Sequence, residues 1–165
     1  MRLLISVLLL PTILATPCPH SGDGWHTVIL DSTINYIVRH KIEGSTLHLQ
    51  LEGATTGWLG FGFGEPTTGH MKGADMVTVY VSSDGHAYAE DRYATFAPNA
   101  GSNPSTGVQS LPALTAALDT YNDYTIISGS QLDGTTSVYV TRPLDTSDTQ
   151  DRVVAANAST AVVWA

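Results

Sequence analysis

Hydrophobic residues along this chain fall mostly at every second position, in short runs cut off by turn residues. Leu47, Leu49 and Leu51 alternate with His48 and Gln50, the period of a strand with one face on a core. Similar runs span Trp25 to Leu30, Ile34 to Ile42, Trp58 to Phe63 and Met76 to Val81. Ser83-Asp84-Gly85 predicts a turn into a strand from His86 to Tyr93, and Leu132-Asp133-Gly134 a turn into Thr136 to Arg142. Tyr124 to Ser128, Val153 to Ala155 and Ala161 to Trp164 complete the set. Ala97 to Pro112 has no period and reads as a loop, while Ala113 to Leu118 is the one segment that reads as a helical turn. The pattern predicts an all-β fold, an antiparallel Ig-like β-sandwich of about nine to eleven strands.

Composition narrows the setting. With 165 residues the chain suits one domain with a real core. Charged residues make up only 13% and glycine numbers 15, which favours a β-rich extracellular protein over a helical cytosolic one. A formal net charge of −8 argues against nucleic acid and anionic membranes as partners and serves solubility. Residues 1–15, MRLLISVLLLPTILA, have the positive start, short apolar run and small final residue of a secretory signal peptide, and are too short to span a bilayer. Residues 16–24 read as a flexible leader carrying the only cysteine, Cys18, which suits an intermolecular bridge or a free thiol. Asn157-Ala158-Ser159 is a glycosylation sequon usable only by a secreted chain, whereas the proline in Asn103-Pro104-Ser105 disqualifies that site.

The segment from Thr56 to Val81 is the most informative. Trp58, Phe61 and Phe63 alternate with Gly60, Gly62 and Gly64, so one face of that strand is bare and admits another backbone or a flat ligand. Met71 follows in a loop, and Gly73-Ala74-Asp75 opens the next strand. No nucleophile motif or phosphate loop is present, and the six histidines lack the spacing of a metal site. His40 and His48 read as solvent-facing. Trp58, Phe61, Tyr80, Tyr88 and Tyr93 form either an ordinary core lining or an aromatic wall for a sugar or another small molecule.

In order along the chain, Gly57-Trp58-Leu59-Gly60-Phe61-Gly62, Met71-Lys72-Gly73-Ala74-Asp75, Asp84-Gly85, Asp91-Arg92-Tyr93, Asn122-Asp123-Tyr124, Arg142-Pro143-Leu144-Asp145-Thr146 with Asp148 and Asp151, and Val162-Val163-Trp164-Ala165 carry a family likeness. Together they resemble the DOMON domain over residues 25–165, in particular the one at the front of copper-dependent monooxygenases similar to dopamine β-hydroxylase. The resemblance implies an extracellular sandwich that binds haem, carbohydrate or another ligand, or accompanies an oxidoreductase domain or partner protein, without catalysis of its own. Ser147 stands where those relatives usually carry cysteine. Their copper is held on separate domains, so no copper is expected within this chain, which reads as a free-standing or truncated accessory module.

Two candidate sites follow from the resemblance. In its cytochrome-type members a loop methionine and a histidine beyond the last strand ligate b-type haem; Met71 matches, but no histidine follows His86. Asp75, Asp91 and Asp123 form a second constellation, and in the family's monooxygenase-type members a cation site implies Asp75 and Asp123 as side-chain ligands, with the carbonyls of Met76 and Arg92 beside them. Carboxylate and carbonyl oxygens suit a calcium-like ion. The alternative is structural, with Asp75 capping the strand entrance and Asp91 pairing with Arg92 or Arg142. The remaining aromatics, Trp58, Phe61, Tyr80 and Tyr93, are the expected ligand pocket.

Overall fold

The computed structural model describes residues 24–64, 71, 73–96, 114–156 and 158–165. The expected signal peptide and leader, Cys18 and Asn157 lie outside them. Ten strands run in chain order: β1 (His26–Asp31), β2 (Tyr36–Glu43), β3 (Thr46–Gly53), β4 (Leu59–Phe63), β5 (Asp75–Val81), β6 (Ala87–Phe96), β7 (Leu114–Leu118), β8 (Thr125–Leu132), β9 (Thr135–Pro143) and β10 (Val162–Trp164). They form two antiparallel five-stranded sheets, β1-β2-β3-β9-β8 and β10-β4-β5-β6-β7, packed as a β-sandwich. No helix among the described residues is long and apolar enough to cross a membrane.

The period-2 pattern translates directly into the core. Tyr36 and Val38 on β2, Leu47, Leu49 and Leu51 on β3, and Val138 and Val140 on β9 face Leu59, Phe61 and Phe63 on β4 and Val77 and Val79 on β5, all buried. Tight turns hold the register. Asp133-Gly134 joins β8 to β9 with φ of 51° and 76°, the paired left-handed conformation of a hairpin whose twist matches its strands.

Two expectations fail. Residues 114–118 form an edge strand, not a helical turn: Leu114 to Leu118 pair with Phe96 to Arg92, and sheet pairing outweighs the local preference of alanine and leucine. Val153 to Ala155 form no strand, because the segment makes only isolated bonds, such as Val154 N–H to Leu144 O at 2.8 Å.

The bare face predicted for β4 is filled by backbone and by its own neighbours. A Cβ at Gly62 would lie 2.5 Å from the carbonyl oxygen of Asp75, and one at Gly60 would meet the Trp58 ring at 3.2 Å. The glycines therefore let β5 and Trp58 close over the strand. Gly62→Ala should cost about 1–3 kcal/mol by overpacking, whereas Gly57→Ala, meeting only the Thr55 hydroxyl at 3.4 Å, should stay within about 0.5 kcal/mol. Urea denaturation of the two variants checks the difference.

Candidate cation site

On β5, burial alternates strictly, so Asp75 shares the inward face with Val77, Val79 and Val81. Asp91 pairs with Val77 across the β5–β6 ladder and also faces inward, at 3% exposure. The strand alternation thus places two carboxylates inside an apolar core. Asp151, in the segment after β9, brings a third. One carboxylate oxygen from each of Asp75, Asp91 and Asp151 lies within 4.8 Å of the others.

A single fully buried guanidinium meets this cluster. Arg142, from β9 in the opposite sheet, donates from Nη1 to Asp75 Oδ2 at 2.5 Å and to the Tyr124 hydroxyl at 3.2 Å. From Nη2 it donates to Asp151 Oδ2 and to the carbonyl of Arg152, both at 3.2 Å. Its planar group also lies over the rings of Tyr124 and Phe63. Arg152 turns its own guanidinium to the carbonyl of Gly73 and gives only its main-chain N–H to Asp75 Oδ2, at 2.8 Å.

Three carboxylates against one guanidinium leave an excess of two negative charges when all are ionised. Asp75 Oδ1 and Asp91 Oδ1 are buried without a hydrogen-bond partner among the described residues, and so is Asp119 Oδ2. Such orphaned oxygens are costly in a low-dielectric interior. Burial pushes the Asp91 carboxyl up to about 7, against the Asp123 N–H that favours its charge and reinforced by Asp151 and Asp75. Burial likewise raises Asp151 to about 6, and it raises Asp75 even though Arg142 opposes the shift. These ligands, hard oxygens whose lone pairs accept no hydrogen bond, fit a hard divalent cation.

The predicted site residues separate. Asp75 is central, but Asp123 contributes its main-chain N–H, to Asp91 Oδ2 at 3.1 Å. Met76 and Arg92 are paired directly across the β5–β6 ladder, and their side chains take the outer face. Asp91 does not pair with an arginine: Arg142 goes to Asp75 and Asp151, and Arg92 pairs with Glu90. Asp151 and Arg142 complete the cluster, and sequence reasoning placed neither in a candidate site. Both sit in quoted motifs, yet nothing in their spacing reveals the meeting with Asp75.

The expected aromatic pocket also divides. Phe61 is buried in the core. The Tyr93 hydroxyl lies beside Gly73, where an added Cβ would meet it at 3.3 Å. Trp58 and Tyr80 do come together, in an open outer groove of about 590 Å³ with Thr78, Glu90 and Arg92. There Tyr80 stacks on Tyr88 at 5.1 Å and donates its hydroxyl to Glu90 at 3.1 Å. Met71 is 39% exposed and borders a cavity of about 130 Å³ between Trp58, Met76 and Trp164, with no histidine among its described lining residues.

His48, expected in solvent, is half-buried because Trp25 packs against it and its ring bonds the Tyr139 hydroxyl at 2.6 Å. His40 is half-buried as well, on the inward side of β2.

Arg142→Met should destabilise the protein by about 3–5 kcal/mol, since it removes the guanidinium paired with the buried Asp75 and Asp151 carboxylates. Chemical denaturation checks this.

No match is found among curated proteins. The family model for the DOMON domain matches residues 32–165, a span that takes in every strand except β1 and every member of the acid cluster. The chain belongs to the DOMON family.

Proposed function

We propose that the protein is a secreted binding module whose buried acid cluster holds a calcium-like divalent cation, and that it serves as an accessory to an oxidoreductase domain or partner. The observation that carries the cation reading is the two-charge excess among Asp75, Asp91, Asp151 and Arg142, with orphaned oxygens on Asp75 and Asp91. Asp91, Asp151 and Asp75 would supply the side-chain oxygens, and Asp119 stands next to them through its N–H bond to the Asp91 carbonyl, at 3.0 Å. A cation there would tie β5 and β6 to the segment after β9. Its role is structural and electrostatic: it completes the charge balance and fixes that end of the sandwich. The secreted setting rests on the signal peptide and on extracellular composition, and the accessory role on the likeness to monooxygenase front domains.

Without a cation, the raised carboxyl groups set the pH profile. Their contribution to stability is fully present below the ordinary carboxylate range, where folded and unfolded chains are both protonated. It is lost as pH rises through about 6 for Asp151 and about 7 for Asp91. In chelator, the melting temperature should therefore fall between about pH 5 and pH 8. Calcium at about 100 times its dissociation constant should restore about 2.7 kcal/mol at the higher pH. Asp91→Asn should flatten the pH profile and remove the calcium response. A melting temperature at pH 8 that ignores both calcium and chelator would refute the reading.

A second reading is favoured by the outer groove, where the exposed Trp58 ring and the Tyr80–Tyr88 stack adjoin the polar pair Glu90–Arg92. Apolar faces beside charged hydrogen-bonding groups suit a sugar ring. Retardation in a gel containing soluble polysaccharide should be lost in Trp58→Ala while the melting temperature changes little. Equal mobility with and without every polysaccharide tried would count against it.

A further inference from the structure

On the side of the sandwich where β1 and β10 are the edge strands, the two sheets part around a cavity of about 320 Å³. Leu47 and Leu49 line it from one sheet, Phe61, Phe63 and Val162 from the other, and Val154 closes one end. Val28 and Ile42, 44% and 37% exposed, form its mouth. This volume lies within the range of small-molecule sites, which are mostly apolar with a few placed polar groups.

Here the placed polar group is an imidazole pair. His40 lines the cavity, and His26 stands directly opposite it in the β1–β2 register, the rings stacked 5.3 Å apart at 29°. Fourteen residues separate the two in sequence, so no motif shows the pair; the antiparallel register creates it. Neither ring has a hydrogen-bond partner among the described residues. Among the described residues that line the cavity, none carries an opposing charge. Leu49 is the β3 partner of His40, β4 contributes Phe61 and Phe63, and Val154, Ala155, Ala156, Ala158 and Thr160 also line the cavity. The charged neighbours on β2, Arg39 and Lys41, are engaged by Glu52 and Glu43. Burial lowers the His40 pKa, and the nearness of His26 lowers it further. An anion that accepts from the ring N–H groups would relieve both effects.

We propose that this cavity binds a small amphiphilic monocarboxylate, its apolar body between the sheets and its carboxylate on His26 and His40. A cavity of this size has room for about ten water-sized groups, which matches an acid of about eight carbons. The carboxylate accepts from both imidazoles and raises their pKa, so binding takes up protons and tightens as pH falls through the histidine range while the acid stays ionised. The site is separate from the acid cluster and does not rest on a cation there.

The test is calorimetric titration of the full chain with octanoate and with octanol, at about pH 6 and about pH 8. Octanoate should bind saturably and about tenfold tighter than octanol at the lower pH, as expected for a charge-assisted head-group bond. Its advantage should shrink at the higher pH. The His26→Ala, His40→Ala double variant should bind the two probes equally at both pH values. Val28→Trp, at an exposed edge position that demands no core space, should block the mouth and abolish both, with an unchanged circular dichroism spectrum showing that it folds. Absence of saturable octanoate binding, equal affinity for the two probes in the natural chain, or undiminished binding by Val28→Trp would each overturn the proposal.

Discussion

The structure depends on the burial of one guanidinium. Arg142 reaches from the first sheet into the second, and its side chain and that of Asp75 are both fully buried. Desolvating such a pair is expensive, and the arrangement persists because nearly every donor on the guanidinium finds an oxygen: Asp75, Asp151, Tyr124 and two main-chain carbonyls. Hydrophobic packing between the sheets is non-directional and would tolerate small slips. The Arg142 network does not, because a planar fork has only one orientation that meets those partners. It fixes how β9 lies over β5 and where the segment after β9 docks.

That constraint accounts for the family motifs as physics. Gly-Ala-Asp places the carboxylate at the first inward position of β5, and Gly73 leaves its carbonyl for Arg152. Asn122-Asp123-Tyr124 brings an N–H to Asp91, a side-chain amide to the Ala89 carbonyl and a hydroxyl to Arg142. Arg142-Pro143-Leu144 ends β9 and directs the chain towards Asp151. The motifs lie far apart in sequence because they are the pieces of one buried polar assembly.

Much of the fold was legible in the sequence. Alternating leucines, valines and aromatics identified most strands, and Asp-Gly pairs identified the turns, since both signals are local. The 114–118 strand was not, because Leu-Thr-Ala-Ala-Leu carries no local preference for a sheet and is made a strand by the free edge of β6. At the candidate site, Asp75 stood out through its motif. Asp91 could be grouped with it as another carboxylate, but Asp151 could not be read, because it meets Asp75 through sheet packing over a long separation. The same holds for His26 and His40, which become neighbours only once β1 pairs with β2.

The separation of 67 residues between Asp75 and Arg142 has a consequence for the order of folding. Local hairpins such as β8–β9 close early because their loops are short, whereas the inter-sheet pair must wait for a large loop to close. A chain still emerging during synthesis has Asp75 and Asp91 in place on a growing sheet long before Arg142 and Asp151 arrive. Until then, those carboxylates belong to water, and the half-built second sheet has every reason to keep its inner face open. The pair that locks the sandwich thus belongs with the other long-range contacts, the β3–β9 and β4–β10 pairings, which also close large loops.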